Sequence, residues 1–488
     1  MKSTSKNLFL LLCIALSLVN CTKIDDLQDD PNRALEVPPE LLLTQLETRA
    51  FNTISLSAAL ATRQLVYTDG VNSDQYYNWQ RSGFGAYDDL KQVQQMILEA
   101  ERTGLPAYRS LARFFNAYFI IDMTRIFGDI PYTEALQASE ANFAPAYDEQ
   151  KNIYLKVLDE LKTASEELSE NGEDIRGDVI YNGDALLWRK LINSYYLRVL
   201  LSLSHKTGDT DLNIISRFRE VVNNPQDFPL LTSEEDNGVL PFHNIEGNRY
   251  PLFRNNSLQT AYYMEKTFVD KLKTLKDPRL FAFAQRTPQA VDQNLEVTDF
   301  DAYNGLPGSA PLDENVDKAG NGEASMINER YYTEPANEPG ILISYAELQF
   351  ILAEAASREW ITQSAEGFYT NGIIASMRFY GISESEIDIY LQNPDVVSED
   401  PSPEMILTQK HIAMFLNTGW QMFFEHRRTG YPEFDISGGG VLNNGRIPKR
   451  WMYPAKELTQ NQAHLDEAIQ RQFPEGDDIN AEMWLIRE

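Results

Sequence analysis

The sequence predicts a mainly α chain in which a helical scaffold carries one long loop-rich face. Three observations predict it. From Pro38 to about Gly208 apolar residues recur at three- and four-residue spacings, as in Leu90, Val93, Ile97 and Ala100, while strand-like alternation is scarce. Between about Thr232 and Pro339 the texture turns to Pro, Gly and Asn with short apolar pieces, interrupted by one helical pattern, Leu258 to Leu275. Helical periodicity returns at Ser344 to Trp360, around Ala365 to Tyr380, and at Glu404 to Arg428.

The first element is an export signal. Lys2 and Lys6 precede a 12-residue apolar run, Leu8 to Val19, too short for a bilayer core of roughly 30 Å but suited to a cleaved signal peptide. The run ends in Leu18-Val19-Asn20-Cys21, which resembles the lipobox of bacterial lipoproteins, with Asn20 where Gly, Ala or Ser is usual. Of the 2 cysteines, Cys13 lies inside the signal, so only Cys21 remains, at the start of the mature chain. A lone cysteine there predicts a lipid anchor rather than a disulfide framework. Asp25, Asp26, Asp29 and Asp30 follow as a solvated acidic tether. The expected organisation is residues 1–20 as signal, 21–37 as acylated N-terminus and tether, and 38–488 as one domain. Within that domain the helical scaffold spans about 38–231 and 344–430, and the loop-rich insert about 232–343.

Four scaffold helices open on an aromatic with apolar residues three and seven positions on: Tyr108, Leu111, Phe115; Tyr154, Val157, Leu161; Trp188, Leu191, Tyr195; Tyr345, Leu348, Leu352. The third reproduces the opening of a tetratricopeptide helix, with Ile192 in place of its Gly. No 34-residue period follows, so divergent helical repeats and generic helix packing both fit.

Composition excludes several functions. With 43 Lys plus Arg against 72 Asp plus Glu the net charge is −29, which repels nucleic-acid backbones. His205, His243, His411, His426 and His464 are scattered, no pair stands four apart on a helix, and no zinc pattern results. Hydrolase, P-loop and dinucleotide motifs are missing, and Gly438-Gly439-Gly440 reads as a flexible turn. Glu425 beside His426 could suggest an acid/base pair, but helix neighbours point about 100° apart, so a structural role is expected. No catalytic residue, metal ligand or cofactor site is therefore expected. Asp299, Asp301, Asp313 and Glu314 could be imagined around Ca²⁺, although a solvated face is the better reading.

Two segments read as helix stops. In Arg125 to Tyr132, Arg125 falls in the last turn near the carbonyl ends, Gly128 suits a left-handed cap and Pro131 blocks continuation; Glu425 to Pro432 repeats the theme.

Several motifs occur in order: the lipobox, Asp30-Pro31-Asn32, Phe127 to Tyr132, Asp277-Pro278-Arg279-Leu280, Tyr345-Ala346-Glu347-Leu348 running into Ala353-Glu354-Ala355-Ala356, Arg427 to Pro432, and Arg446-Ile447-Pro448 leading to Tyr453-Pro454. Together they resemble the SusD/RagB family of outer-membrane lipoproteins over essentially the whole mature chain. The resemblance implies a SusD-like scaffold of four degenerate tetratricopeptide units with a loop-rich ligand face. It implies a lid on a SusC-like TonB-dependent outer-membrane transporter, handing over captured oligosaccharide or, in other members, peptide. It further implies a lipid-anchored, surface-exposed position, and the acidic tether looks like the surface signal of Bacteroidetes lipoproteins. A helical glycosidase or lyase is the alternative class, but its site is not found in the sequence.

The resemblance carries over no binding residues, so these rest on local pattern. Asn72 to Arg81 lies between helical segments and is flanked by Gly70 and Gly83. Tyr76, Tyr77, Asn78 and Trp79 place rings among amides, which suits a sugar whose C–H faces pack on aromatics. The competing reading has Tyr77 and Trp79 tucked inward to pin the loop. Tyr303 and Asn304, before Gly305, are the second choice for the same site.

Overall fold

The computed structural model describes residues 36–170 and 174–487. The signal segment, Cys21 and the tether up to residue 35 lie outside the described residues. The longer helices are α1 (Pro39–Phe51), α2 (Ala86–Thr103), α3 (Pro106–Phe127), α4 (Gln150–Glu170), α5 (Ala185–Ser202), α6 (Ile214–Asn223), α7 (Lys266–Leu275), α8 (Leu312–Gly320), α9 (Tyr345–Ser357), α10 (Ala365–Phe379), α11 (Pro403–Ala413), α12 (Gln421–Thr429) and α13 (Gln462–Gln472). Successive helices pack as neighbours, α2 on α3, α3 on α4, α4 on α5 and α9 on α10, with α11 against both α9 and α10. The fold is mainly helical and tetratricopeptide-like, with only short strands, and one continuous apolar cluster runs from Leu42 to Leu485. Among the described residues no helix is long and apolar enough to cross a membrane.

Local chemistry explains where the helices begin and end. Pro106 starts α3 at a position where its missing N–H is harmless. Asp184 caps α5 by accepting from the Leu186 and Leu187 amides at 2.9 and 3.1 Å, and Ser344 caps α9 through the Glu347 amide. Gly128 ends α3, though not as the expected left-handed cap. Its φ of 94° and ψ of −125° lie where only glycine is at ease. A Cβ there would also meet Gln472 Oε1 at 2.2 Å. Gly430 does adopt the left-handed cap, closing α12 with φ 80°.

The insert is more ordered than its composition predicts. Helix α7 begins at Lys266 rather than Leu258, because Tyr262–Met264 (β3) pairs antiparallel with Leu65–Tyr67 (β1), Val66 opposite Tyr263. The Glu265 carboxylate then accepts from the Thr267 and Phe268 amides and starts the helix. A second pair joins Val239–Leu240 (β2) to Gly340–Ile341 (β4) and clips the two ends of the insert together. Helix α8 also lies within the stretch read as loop, directly after Pro311.

Among the described residues, several of the motifs that carried the family resemblance are internal struts. Arg279 is fully enclosed and donates to Asp277, to Ser376 of α10 at 2.8 Å and to Gln409 of α11 at 2.7 Å. Arg428 of α12 donates to Glu354 of α9 at 2.6 Å and to Glu425, while Lys410 of α11 donates to Glu425 at 2.6 Å. Arg198 of α5 joins this web through Glu347 of α9. Glu425 is thus locked between two cations that hold its carboxyl far below the usual range, the structural role expected for it in place of an acid/base pair with His426.

Candidate functional site

A cavity of about 500 Å³ opens where the ends of α1, α3, α5 and α12 meet. Three helices each contribute residues at one-turn spacing, the geometry that puts side chains on one face. Helix α3 supplies Tyr118, Asp122 and Arg125, α5 supplies Tyr195 and Arg198, and the start of α12 supplies Trp420 and Phe424. Gly83 and Gly85 form part of the wall where the chain enters α2. Two loops far apart in sequence are spliced at the mouth: Gly419 N donates to Thr53 O at 2.9 Å, and Thr53 Oγ1 bonds to Asn417 Oδ1 at 2.7 Å.

Trp420 is half-buried and held from behind. Its ring meets Trp451 edge-on at 4.8 Å and Trp79 at 5.7 Å, and Trp79 stacks on Trp451 at 4.8 Å. Such an aromatic wall offers a flat apolar face beside polar groups. The Tyr118 hydroxyl donates to Ala50 O at 3.2 Å, and burial pushes the phenols of Tyr118 and Tyr195 upward, so both stay protonated as donors. Asp122 is open to the cavity yet surrounded by protein, and that enclosure raises its carboxyl against the pull of Arg125 and Arg198. Asp89, the other wall acid, is taken by Arg49 at 3.1 Å.

A second cavity of about 430 Å³ lies between α7, α11 and the segment after α12. Its buried Arg63 is already committed, donating to Asp435 O at 3.1 Å and Gln75 O at 2.7 Å. Its His411 is kept neutral, burial pulling the ring down to about 3. The larger cavity, with its wider aromatic wall and uncommitted Asp122, is the better binding site.

A family model described as SusD-like, starch-binding and associating with the outer membrane, matches residues 31–454. The chain belongs to this SusD-like family. Solved SusD-like relatives agree with it in fold and length. An outer membrane protein of Bacteroides vulgatus, whose inferred role is nutrient binding, is 38% identical, with a TM-score of 0.87 over 92% of this chain and 100% of the other. A SusD homologue of Bacteroides fragilis is 39% identical, with a TM-score of 0.86 over 93% of this chain and 100% of its own. No curated protein matches the chain.

Within this SusD-like frame the loop residues expected to bind ligand are mostly core. Tyr76 and Tyr77 are buried, and Tyr77 donates to Ala61 O at 2.8 Å beneath the Arg63 guanidinium, 4.5 Å from its ring. Trp79 is 5% exposed and donates from Nε1 to Arg450 O at 3.1 Å. Tyr303 is buried and donates to Val297 O at 2.8 Å. The expectation of an exposed ring platform is corrected, because all four rings are buried and Tyr77, Trp79 and Tyr303 spend their polar ends on backbone carbonyls. Asn78 and Asn304 stay exposed, Asn304 donating to Glu323 O at 3.0 Å. None of the six lines either cavity. The acids around Asp299 serve local structure, Asp299 accepting from the Asp301 amide at 2.9 Å. Among the described residues no group of three His, Cys, Asp or Glu could hold a metal ion.

Proposed function

We propose that this SusD-like protein is a non-catalytic surface receptor that captures oligosaccharide in the cavity beside Trp420 and delivers it to a SusC-like TonB-dependent outer-membrane transporter. The observation that carries the reading is the pairing of one half-buried indole with hydroxyl and charged groups on three rigid helices. A sugar ring can lay its C–H face on the indole while its hydroxyls meet Asp122, Tyr195 and Gln421. Support also comes from the family description and from the nutrient-binding role inferred for the Bacteroides vulgatus relative. Retention at the outer membrane is assigned to lipid chains on Cys21, of which more than one is needed for stable anchoring. Titration calorimetry against a panel of oligosaccharides and peptides, with product analysis after long incubation, tests the proposal. Binding of a glycan that Trp420→Ala weakens at least tenfold supports it. Binding of peptides alone, or the appearance of shortened glycan, defeats it.

A further inference from the structure

Arg125 is a buried cation whose charge the protein leaves unanswered. It is 6% exposed, lies on the Phe424 ring at 4.0 Å, and makes no hydrogen bond or ion pair from its guanidinium among the described residues. The helix-stop reading placed it on carbonyl ends; the structure turns it onto the cavity wall instead. Its neighbour Arg427 has no carboxylate partner either, donating only to Arg125 O at 2.7 Å and Lys449 O at 2.8 Å. Burial first, and then the charges of Arg125 and Arg450, pull Arg427 down to about 9. The other buried arginines at this end of the scaffold are neutralised: Arg198 by Glu347, Arg428 by Glu354 and Arg450 by Asp477. Of the two acids on the cavity wall, Asp89 is paired with Arg49, and Asp122, one turn earlier than Arg125 on α3, feels its charge without an ion pair among the described residues. Arg125 therefore lines the cavity without an ion pair or hydrogen-bond acceptor of its own, in a chain of net charge −29.

Resting on the receptor reading above, the geometry points to a sugar ligand that carries a carboxylate, of the uronic-acid class, seated on Arg125 with an adjacent hydroxyl donating to Asp122. A planar guanidinium suits a carboxylate because two parallel N–H donors match its two oxygens. A neutral glycan would leave that cation unpaired and desolvate it further, which is costly. The site therefore selects for charge as well as for shape.

The test uses the purified mature protein and oligomers of galacturonate, glucuronate and mannuronate, each as free acid and as methyl ester, with neutral and sulfated glycans alongside. Esterification removes the charge and keeps the sugar. Expected is a free acid bound at least tenfold more tightly than its ester, with affinity falling as NaCl rises. Arg125→Gln should abolish that difference, and Arg125→Lys should restore part of it. Circular dichroism melting checks that both variants fold, and the acid-against-ester comparison needs no variant. Equal binding of acid and ester, preference for neutral or sulfated glycans, or acid binding unchanged in folded Arg125→Gln overturns the carboxylate inference and leaves the receptor reading standing. If no glycan of any charge binds, the receptor reading fails and this inference fails with it.

Discussion

Trp79 and Trp420 are neighbouring rings with different jobs. Removing the enclosed Trp79 ring deletes contacts on both faces, so Trp79→Ala should lower unfolding free energy by about 3 to 5 kcal/mol. Trp420→Ala, at the cavity wall, should lower ligand affinity by about 2 kcal/mol with a smaller loss of stability. Denaturant titration and calorimetry on both variants separate the roles; equal stability losses would contradict the assignment. The aromatic cluster between Gly70 and Gly83 was visible in the sequence, and so was the possibility that its rings turn inward. What decided between the two was invisible: Trp451 and the Arg450 carbonyl, more than 370 positions away, complete the pocket that Trp79 fills. Asp122 and Arg125 did leave a signal, being the only charges in the final apolar turns of α3. Glu47 offers a further check, since burial and then the Asp178 charge push its carboxyl up to about 10. A raised carboxyl stabilises the fold most fully below its unfolded value and loses that contribution as pH rises toward the folded value. Stability should thus fall by up to about 1.4 kcal/mol per pH unit between roughly pH 5.5 and 9 from this group alone. Glu47→Gln should flatten that slope and raise the melting temperature at neutral pH.

At the level of elements, periodicity placed the scaffold helices well because each buries a continuous apolar stripe, while the insert was misread where partners are distant. Tyr262–Met264 looks helical in isolation and becomes a strand only because Leu65–Tyr67 offers its edge. Pro311 reads as a loop breaker, yet it stands just outside α8, where a missing amide costs nothing. The break after α3 is sharper than a generic cap. Gly128→Ala combines a forbidden backbone angle with a clash on Gln472, which itself accepts from the Asp129 amide at 2.8 Å. A loss of roughly 2 kcal/mol or more is expected in thermal unfolding, larger than for Gly208→Ala, where a Cβ meets nothing within 4 Å.

Across the whole molecule, the ordered motifs identified the family because they encode struts, and struts tolerate little change. Arg279 and Arg428 each tie several helices together through buried ion pairs, and removing one partner of such a pair strands a charge. Among the described residues of the cavity wall, only Arg198 joins these buried ion pairs and only Phe127 belongs to an ordered motif, which is why motif order revealed the scaffold and not the ligand site. The proposed anchor is testable independently of either: Cys21→Ala should move the protein from the membrane fraction to the soluble one, and unchanged fractionation would refute lipidation there.

The splice of Thr53 to Asn417 and Gly419 also sets a timetable. Helix pairs such as α2–α3 and α4–α5 join near neighbours and can form as soon as their own residues are free to fold. The cavity mouth needs two strands of chain separated by 364 residues to meet, a closure whose entropy must be met late. The binding-competent state is therefore expected to mature last, and partly folded chains should not hold ligand. Adding the true ligand should raise the melting temperature with concentration, as for any molecule that binds only the finished form. In hydrogen exchange, the amides of Gly419 and Thr418 should gain protection after those of the α3 interior during refolding, making nutrient binding a readout of completed assembly.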